Sequence, residues 1–198
     1  MSYKYSLIIG CSLVYFFSSC NKKELSYKEY VAYIENADNG LVRLDSIDGV
    51  TYKISYKPTN VMVYQSLQNE EFNSDAIDSL KSVYSEYEYF LLSISSKNTD
   101  VLSLTSRQDF SRIMQDVSFH MQDMVYMVRD DNDTLYLEDF IAPRFYGLSN
   151  ATSILLAFKK KGIEPKYFKV HVKGLFGGSV DLKFKNKDLT ELPTLKFS

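Results

Sequence analysis

The stretch LVRLDSIDGVTYKISYKP, residues 41–58, decides the fold. Val50, Tyr52, Ile54 and Tyr56 alternate with Thr51, Lys53, Ser55 and Lys57, the period-two pattern of a half-buried strand. Leu41–Ile47 reads as a strand ahead of it. Asp48-Gly49 between them is a two-residue hairpin turn, and Pro58 ends the second strand. Strands joined this tightly pair antiparallel, so the spacing predicts an antiparallel sheet.

Upstream, Ser26 and Glu29 have the spacing of a capping box. Tyr27, Tyr30, Val31, Ile34 and Ala37 follow at helical spacing, with Asn39-Gly40 as a stop, which predicts a helix over 26–38. Downstream, residues 59–68 predict a short helix carrying Met62 and Leu67. A helix capped by Ser74 carries Ile77, Leu80, Val83 and Tyr84 as its buried stripe. Tyr87–Ser95 is a strand whose unbroken Tyr89-Phe90-Leu91-Leu92 predicts a central position covered on both faces. Ser106 and Asp109 start a further helix with Phe110, Ile113, Met114 and Val117 on one side.

The period then returns to two. Residues 124–128 and 134–140 flank Asp130-Asp131-Asn132-Asp133 as a second hairpin, and residues 154–158, 167–172 and 180–184 are three more strands. The prediction is one α+β domain over 26–198. It has a largely antiparallel sheet or sandwich, and three to four helices concentrated in the N-terminal half.

The chain has 198 residues, 45% hydrophobic and 24% charged, with a net charge of −2. That composition excludes wholesale disorder and offers no electrostatic footprint for nucleic acid. Two cysteines, Cys11 and Cys20, make neither a disulfide framework nor a Cys-rich zinc site.

The N-terminus has Lys4, an apolar run over 7–17, then Phe17-Ser18-Ser19-Cys20 and a polar segment from Asn21. The run is too short to span a bilayer and suits the core of an export signal. This segment resembles a bacterial lipoprotein signal, with Ser18 and Ser19 as the small residues ahead of the lipid-bearing cysteine. Phe17 departs from the usual aliphatic residue. The relaxed Ser-Ser-Cys form is similar to signals common in Bacteroidetes. The resemblance implies removal of residues 1–19, acylation of Cys20, a tether over 20–25, and a membrane partner through the lipid. Asn21 in place of Asp implies the outer membrane. Lys22-Lys23-Glu24 is unlike an acidic surface-export run, which implies a periplasm-facing anchor.

Other motifs carry little chemistry. Asp130–Asp133 resembles half a calcium loop, but Leu135 stands where such a loop needs glycine, so it reads as a solvated turn. His120 and His171 are the two histidines, far apart and without usable cysteine, so no metal site is assigned. Nucleophile-elbow and Walker patterns are missing. Glu70-Glu71 and Glu138-Asp139 read as solvated carboxylates. The 16 tyrosines, among them Tyr84, Tyr87 and Tyr89, read as sheet packing rather than a glycan platform, and Lys159-Lys160-Lys161 as a solvated loop.

No catalytic residue and no cofactor is assigned, and Cys20 is the assigned site. The expected function is a non-catalytic, membrane-anchored envelope lipoprotein that makes protein contacts. The alternatives are a glycan- or small-ligand-binding lipoprotein, and a hydrolase with a dispersed carboxylate or Ser site. Two carboxyls in one pocket, one with a raised pKa, would favour the last.

Overall fold

The computed structural model describes residues 23–67, 72–143 and 149–198. Cys20, the signal segment and Glu70-Glu71 lie outside them. Strand β1 (Glu24–Leu25) leads into helix α1 (Tyr27–Glu35). The capping box forms: Glu29 N–H donates to Ser26 Oγ at 3.5 Å and Ser26 N–H to Glu29 Oε2 at 3.0 Å. The helix stops sooner than periodicity predicts. Asn36 turns extended and its side chain caps a separate 3-10 turn over Ala37–Asn39.

The hairpin is strand β2 (Val42–Ile47) and strand β3 (Val50–Lys57), in register Ile47 opposite Val50. Asp48 and Gly49 both take positive φ, 51° and 77°, which matches the right-handed strand twist. Helix α2 (Thr59–Leu67) follows Pro58, and helix α3 (Ser74–Tyr84) is capped by Asn73, not Ser74: the Asn73 side chain accepts from Ala76 N–H at 2.8 Å. None of the predicted α3 stripe is buried: Ile77, Leu80 and Tyr84 are half-buried and Val83 is exposed.

Strand β4 (Tyr87–Ser96) turns through Lys97-Asn98 into strand β5 (Thr99–Asp100). A 3-10 turn leads to helix α4 (Arg107–Phe119), started by Ser106 and Asp109 as predicted, then helix α5 (Met121–Met124). Strand β6 (Val125–Arg129) pairs with strand β7 (Thr134–Tyr136), and strand β8 (Asp139–Ile141) follows. The three long strands are β9 (Thr152–Lys159), β10 (Tyr167–Lys173) and β11 (Ser179–Lys185). Helix α6 (Asn186–Thr190) and strand β12 (Thr194–Leu195) end the chain.

The fold is α+β with antiparallel sheets, but its helices are not gathered in the first half: α4, α5 and α6 all begin after residue 100. One sheet has the order β2-β3-β4-β9-β8 with β5 beside β4, and the other β11-β10-β6-β7. Apart from the short parallel pair of β1 and β12, neighbours run antiparallel. Residues 24–25, predicted as tether, are therefore part of the fold, because Leu25 and Leu195 are buried together.

The two sheets close on each other. The predicted strand 134–140 is divided: β7 pairs with β6, Leu137 turns into the core, and β8 pairs with β9 in the other sheet. At the opposite side β2 runs along β11. Arg43 Nε donates to the Lys183 carbonyl at 2.8 Å, and Gly178 lies against Ile47. The result is a flattened, barrel-like pair of antiparallel sheets in which β2 and β11 lie side by side without backbone pairing.

Central β4 pairs with β3 and β9, and its inward residues Phe90, Leu92 and Ile94 are 0% exposed. Phe90 meets Phe168 at 5.8 Å and Phe184 at 5.4 Å between ring centroids, so side chains of both sheets fill the interior as one layer. On the outer side Tyr89 is buried and meets Tyr84 and Tyr87 at 5.7 and 6.0 Å, which places that tyrosine cluster in packing.

Candidate functional site

Inward parity carries past the phenylalanine layer and brings polar residues to one end of the barrel. Glu88 continues the series Ile94, Leu92, Phe90 on β4 and sits opposite Phe158. Arg129 continues Val125, Met127 on β6 and sits opposite Phe168. Lys160 and Asn186 follow Phe158 and Phe184 by the same step. These four line a cavity of 140 Å³ together with Met127, Leu135 and Phe168.

Arg129 is 7% exposed. Its guanidinium donates to the carbonyls of Lys161 and Ile163 and faces Asp131 Oδ2 at 3.4 Å, which pins the 160–165 loop over the cavity. Lys160 Nζ lies 3.5 Å from Glu88 Oε1. Among the described residues, Glu88 Oε2 and Arg129 Nε are buried side-chain atoms without a hydrogen-bond partner. A buried polar group left unpaired costs about 1–3 kcal/mol, and more when charged.

Burial pushes the Glu88 carboxyl above its ordinary range. The Lys160 charge and the neighbouring Tyr56 hydroxyl pull it back down, and the Glu164 charge adds to the rise. The Tyr56 phenol is itself pushed well up, mainly by burial and then by the Glu88 charge. The site thus holds a carboxyl that is costly to ionise, beside a guanidinium whose Nε–H is free. It can receive a donor at Glu88 and an acceptor at Arg129.

Sequence reasoning did not assign Glu88, Arg129 or Asn186, and read Lys160 as a solvated loop residue. The available signal was parity: charged residues at inward positions of strands. The acidic turn Asp130–Asp133 is a hairpin turn, with Asn132 at φ 62° and Asp133 N–H donating to Asp131 Oδ1 at 3.1 Å. His120 is exposed at the end of α4, while His171 lies on β10 with Nδ1 2.5 Å from Asp181 Oδ1, so the two are not brought together. Among the described residues no group of three or more His, Cys, Asp or Glu is placed to hold a metal ion. No helix among them is long and apolar enough to cross a membrane.

A second concavity of 360 Å³ at the other end of the barrel is open and largely apolar, with Val101, Leu104, Ile113 and Phe176 in its floor and Asp109 and Arg112 on its rim.

No family model and no curated protein matches the chain. Among solved structures, it is similar to a crystal structure of a novel protein of unknown function from Burkholderia pseudomallei K96243. That chain is 14% identical, the match covers 83% of this chain and 88% of that one, and the TM-score is 0.43.

Proposed function

We propose that this protein is a lipid-anchored lipoprotein of a Bacteroidetes-like cell envelope whose barrel binds a small ligand in the cavity at Glu88 and Arg129. Residues 1–19 are the export signal and Cys20 carries the lipid, holding the domain on the periplasmic side of the outer membrane. The reading of the cavity rests on one observation: two unpartnered buried polar atoms, Glu88 Oε2 and Arg129 Nε, on residues that line the same space.

A ligand that satisfies both has an N–H or ammonium for Glu88, an acceptor for Arg129, and an apolar remainder against Met127, Leu135 and Phe168. The volume of 140 Å³ is close to that of a benzene-sized cavity, too small for a hexose and its hydroxyls. Small amines and small amino acids fit this description.

Two experiments test the proposal. Intact mass and detergent partitioning, wild type beside Cys20→Ala, read the anchor: loss of residues 1–19, acyl mass and detergent partitioning are expected for the wild type alone. Thermal unfolding against a panel of small amines and amino acids reads the cavity. A ligand at a hundredfold excess over Kd stabilises by about 2.7 kcal/mol, about 5–10 °C for a chain this size. A panel with no shift, or a shift that Glu88→Gln leaves intact, defeats the cavity reading.

The non-catalytic protein-contact reading retains one supporting observation, the apolar concavity floored by Leu104, which is 59% exposed. Cross-linking from Arg112 and Lys97 in envelope preparations tests it.

A further inference from the structure

The chain is acidic overall, yet its last hairpin is not. Residues 166–187 hold six lysines against one aspartate, Asp181. Strand alternation sends Lys169 and Lys173 of β10 and Lys183 and Lys185 of β11 to the outer face, while Phe168, Val170, Val172, Val180, Leu182 and Phe184 go inward.

The register sets Lys169 directly opposite Lys183. Like charges opposite each other across strands cost stability. Lys183 Nζ lies 3.7 Å from the Tyr167 ring centroid, which holds its charge on this face. Asp181 is taken by His171, and His171 stacks on Tyr126 of β6 at 4.8 Å.

Several other lysines have an acidic partner within salt-bridge distance, though Lys97 and Lys159 do not. Lys53 and Lys57 share Glu35 of α1, Lys161 pairs with Asp133, and Lys187 with Glu191. Among the described residues none of Lys169, Lys173, Lys183 and Lys185 has an acidic partner within salt-bridge distance. The hairpin therefore presents four lysines against one aspartate, Asp181, on its outer face.

The N-terminal chain joins the fold at β12, nine residues beyond Lys185 in sequence. Thr194 N–H donates to the Lys23 carbonyl at 3.0 Å, and only α6 and its flanks separate Thr194 from Lys185. Lys23 stands three residues after Cys20, a span of at most about 11 Å even when fully extended. A lipid at Cys20 would hold the domain about one screening length from the bilayer, where surface charge is still felt.

We infer that the β10–β11 face, through Lys169, Lys173, Lys183 and Lys185, docks on the anionic phosphate headgroups of the membrane that carries the anchor. The inference rests on the Cys20 anchor of the preceding section. One lipid attachment and a basic patch together hold a protein more firmly than either does.

The test is lysine acetylation footprinting, read by mass spectrometry, on the full mature protein in neutral phosphatidylcholine vesicles and in vesicles with added phosphatidylglycerol. On anionic vesicles the four lysines should label several-fold more slowly. The difference should vanish at about 0.5 M salt, where screening is nearly complete within a few Å. Lys97, on the β4–β5 turn, should keep its rate. Lys169→Gln/Lys183→Gln removes a like-charge pair, so it should unfold no earlier than wild type, while protection of Lys173 and Lys185 falls. Each lysine brought to the surface contributes about a fivefold factor in binding.

Equal labelling on the two vesicle types, with acyl mass present, overturns the inference. So does slowing produced in full by free inorganic phosphate with nothing added by vesicles. If no acyl mass is found, the anchor has failed separately, and co-sedimentation of that unlipidated protein with anionic vesicles decides the face: pelleting supports it and release to the supernatant overturns it.

Discussion

Lys160 Nζ lies 3.5 Å from Glu88 Oε1, yet the Glu88 carboxyl still sits above its ordinary pKa. Burial therefore outweighs the lysine. Lys160 is 42% exposed and shares its charge with solvent, while Glu88 is 21% exposed and keeps one oxygen unpartnered. An attraction across that boundary is screened, whereas the loss of hydration is not.

A pH dependence follows from this carboxyl. Its folded pKa lies above its unfolded value of about 4.3, so the protein holds the extra proton more tightly when folded. That contribution is fully present below the unfolded pKa and is lost as pH rises through the folded one. Glu88→Gln should therefore match wild type near pH 4, gain on it as pH rises, and level off once pH passes the folded pKa. Thermal unfolding of both proteins across that range checks this, and a constant gap would show that burial of the charge is not the cause.

Arg129 holds the 160–165 loop by two carbonyl bonds from a buried position. Arg129→Met keeps the apolar stem but frees the Lys161 and Ile163 carbonyls and leaves Asp131 without its partner. Asp131 is 55% exposed and stays solvated, so the cost comes from the two carbonyl bonds, about 1.5–3 kcal/mol each. Amide exchange across residues 160–165 should rise more than that of β4 or β9, because the loop loses its fastening before the sheet does.

Gly178 marks where β11 begins against β2 and β3. A Cβ there would stand 2.4 Å from Ile47 Cγ2 and 2.6 Å from the Tyr52 hydroxyl. That hydroxyl donates to the Leu175 carbonyl at 2.6 Å and is not free to move. Gly178→Ala should cost about 1–3 kcal/mol by overpacking. Tyr52→Phe in the same background should recover part of the loss, since it removes the oxygen the methyl group strikes. Denaturant unfolding of the single and double variants gives both numbers.

The first helix depends on its cap. Ser26 Oγ both accepts from Glu29 N–H and donates to Glu29 Oε2 at 2.7 Å, and that donation, with the one from Ser26 N–H, holds the Glu29 carboxyl below its ordinary range. Ser26→Ala should cost about 1 kcal/mol. Because Tyr30 and Ile34 of that helix are 1% exposed, the loss should appear in global unfolding and not only as fraying.

Local interactions were legible in the sequence. Ser26 with Glu29, Ser106 with Asp109, the Asp48-Gly49 turn and the alternation of β3 each depend on residues within a few positions of one another. Their geometry is set before any tertiary contact forms. The central position of β4 was legible too in Tyr89-Phe90-Leu91-Leu92, although apart from Tyr89 its outer face is only half-buried. The end of α1 and the cap of α3 were misplaced because Asn36 and Asn73 compete for the backbone with neighbours of similar capping strength.

Tertiary structure alone decided the rest. Division of 134–140 between two sheets depends on β6 and β9, apart in sequence, each taking one part as a partner. The cavity is built from β4, β6 and the segments after β9 and β11. Glu88, Arg129, Lys160 and Asn186 are ordinary polar residues in sequence, and only the packed pair of sheets puts them in one layer over the phenylalanines. The Lys169–Lys183 pair is likewise set by the register of β10 on β11. A sequence specifies periods and caps because they are short-range. Which charges share a low-dielectric space, and which face solvent unpaired, is a property of strands meeting, and it is there that the site arises.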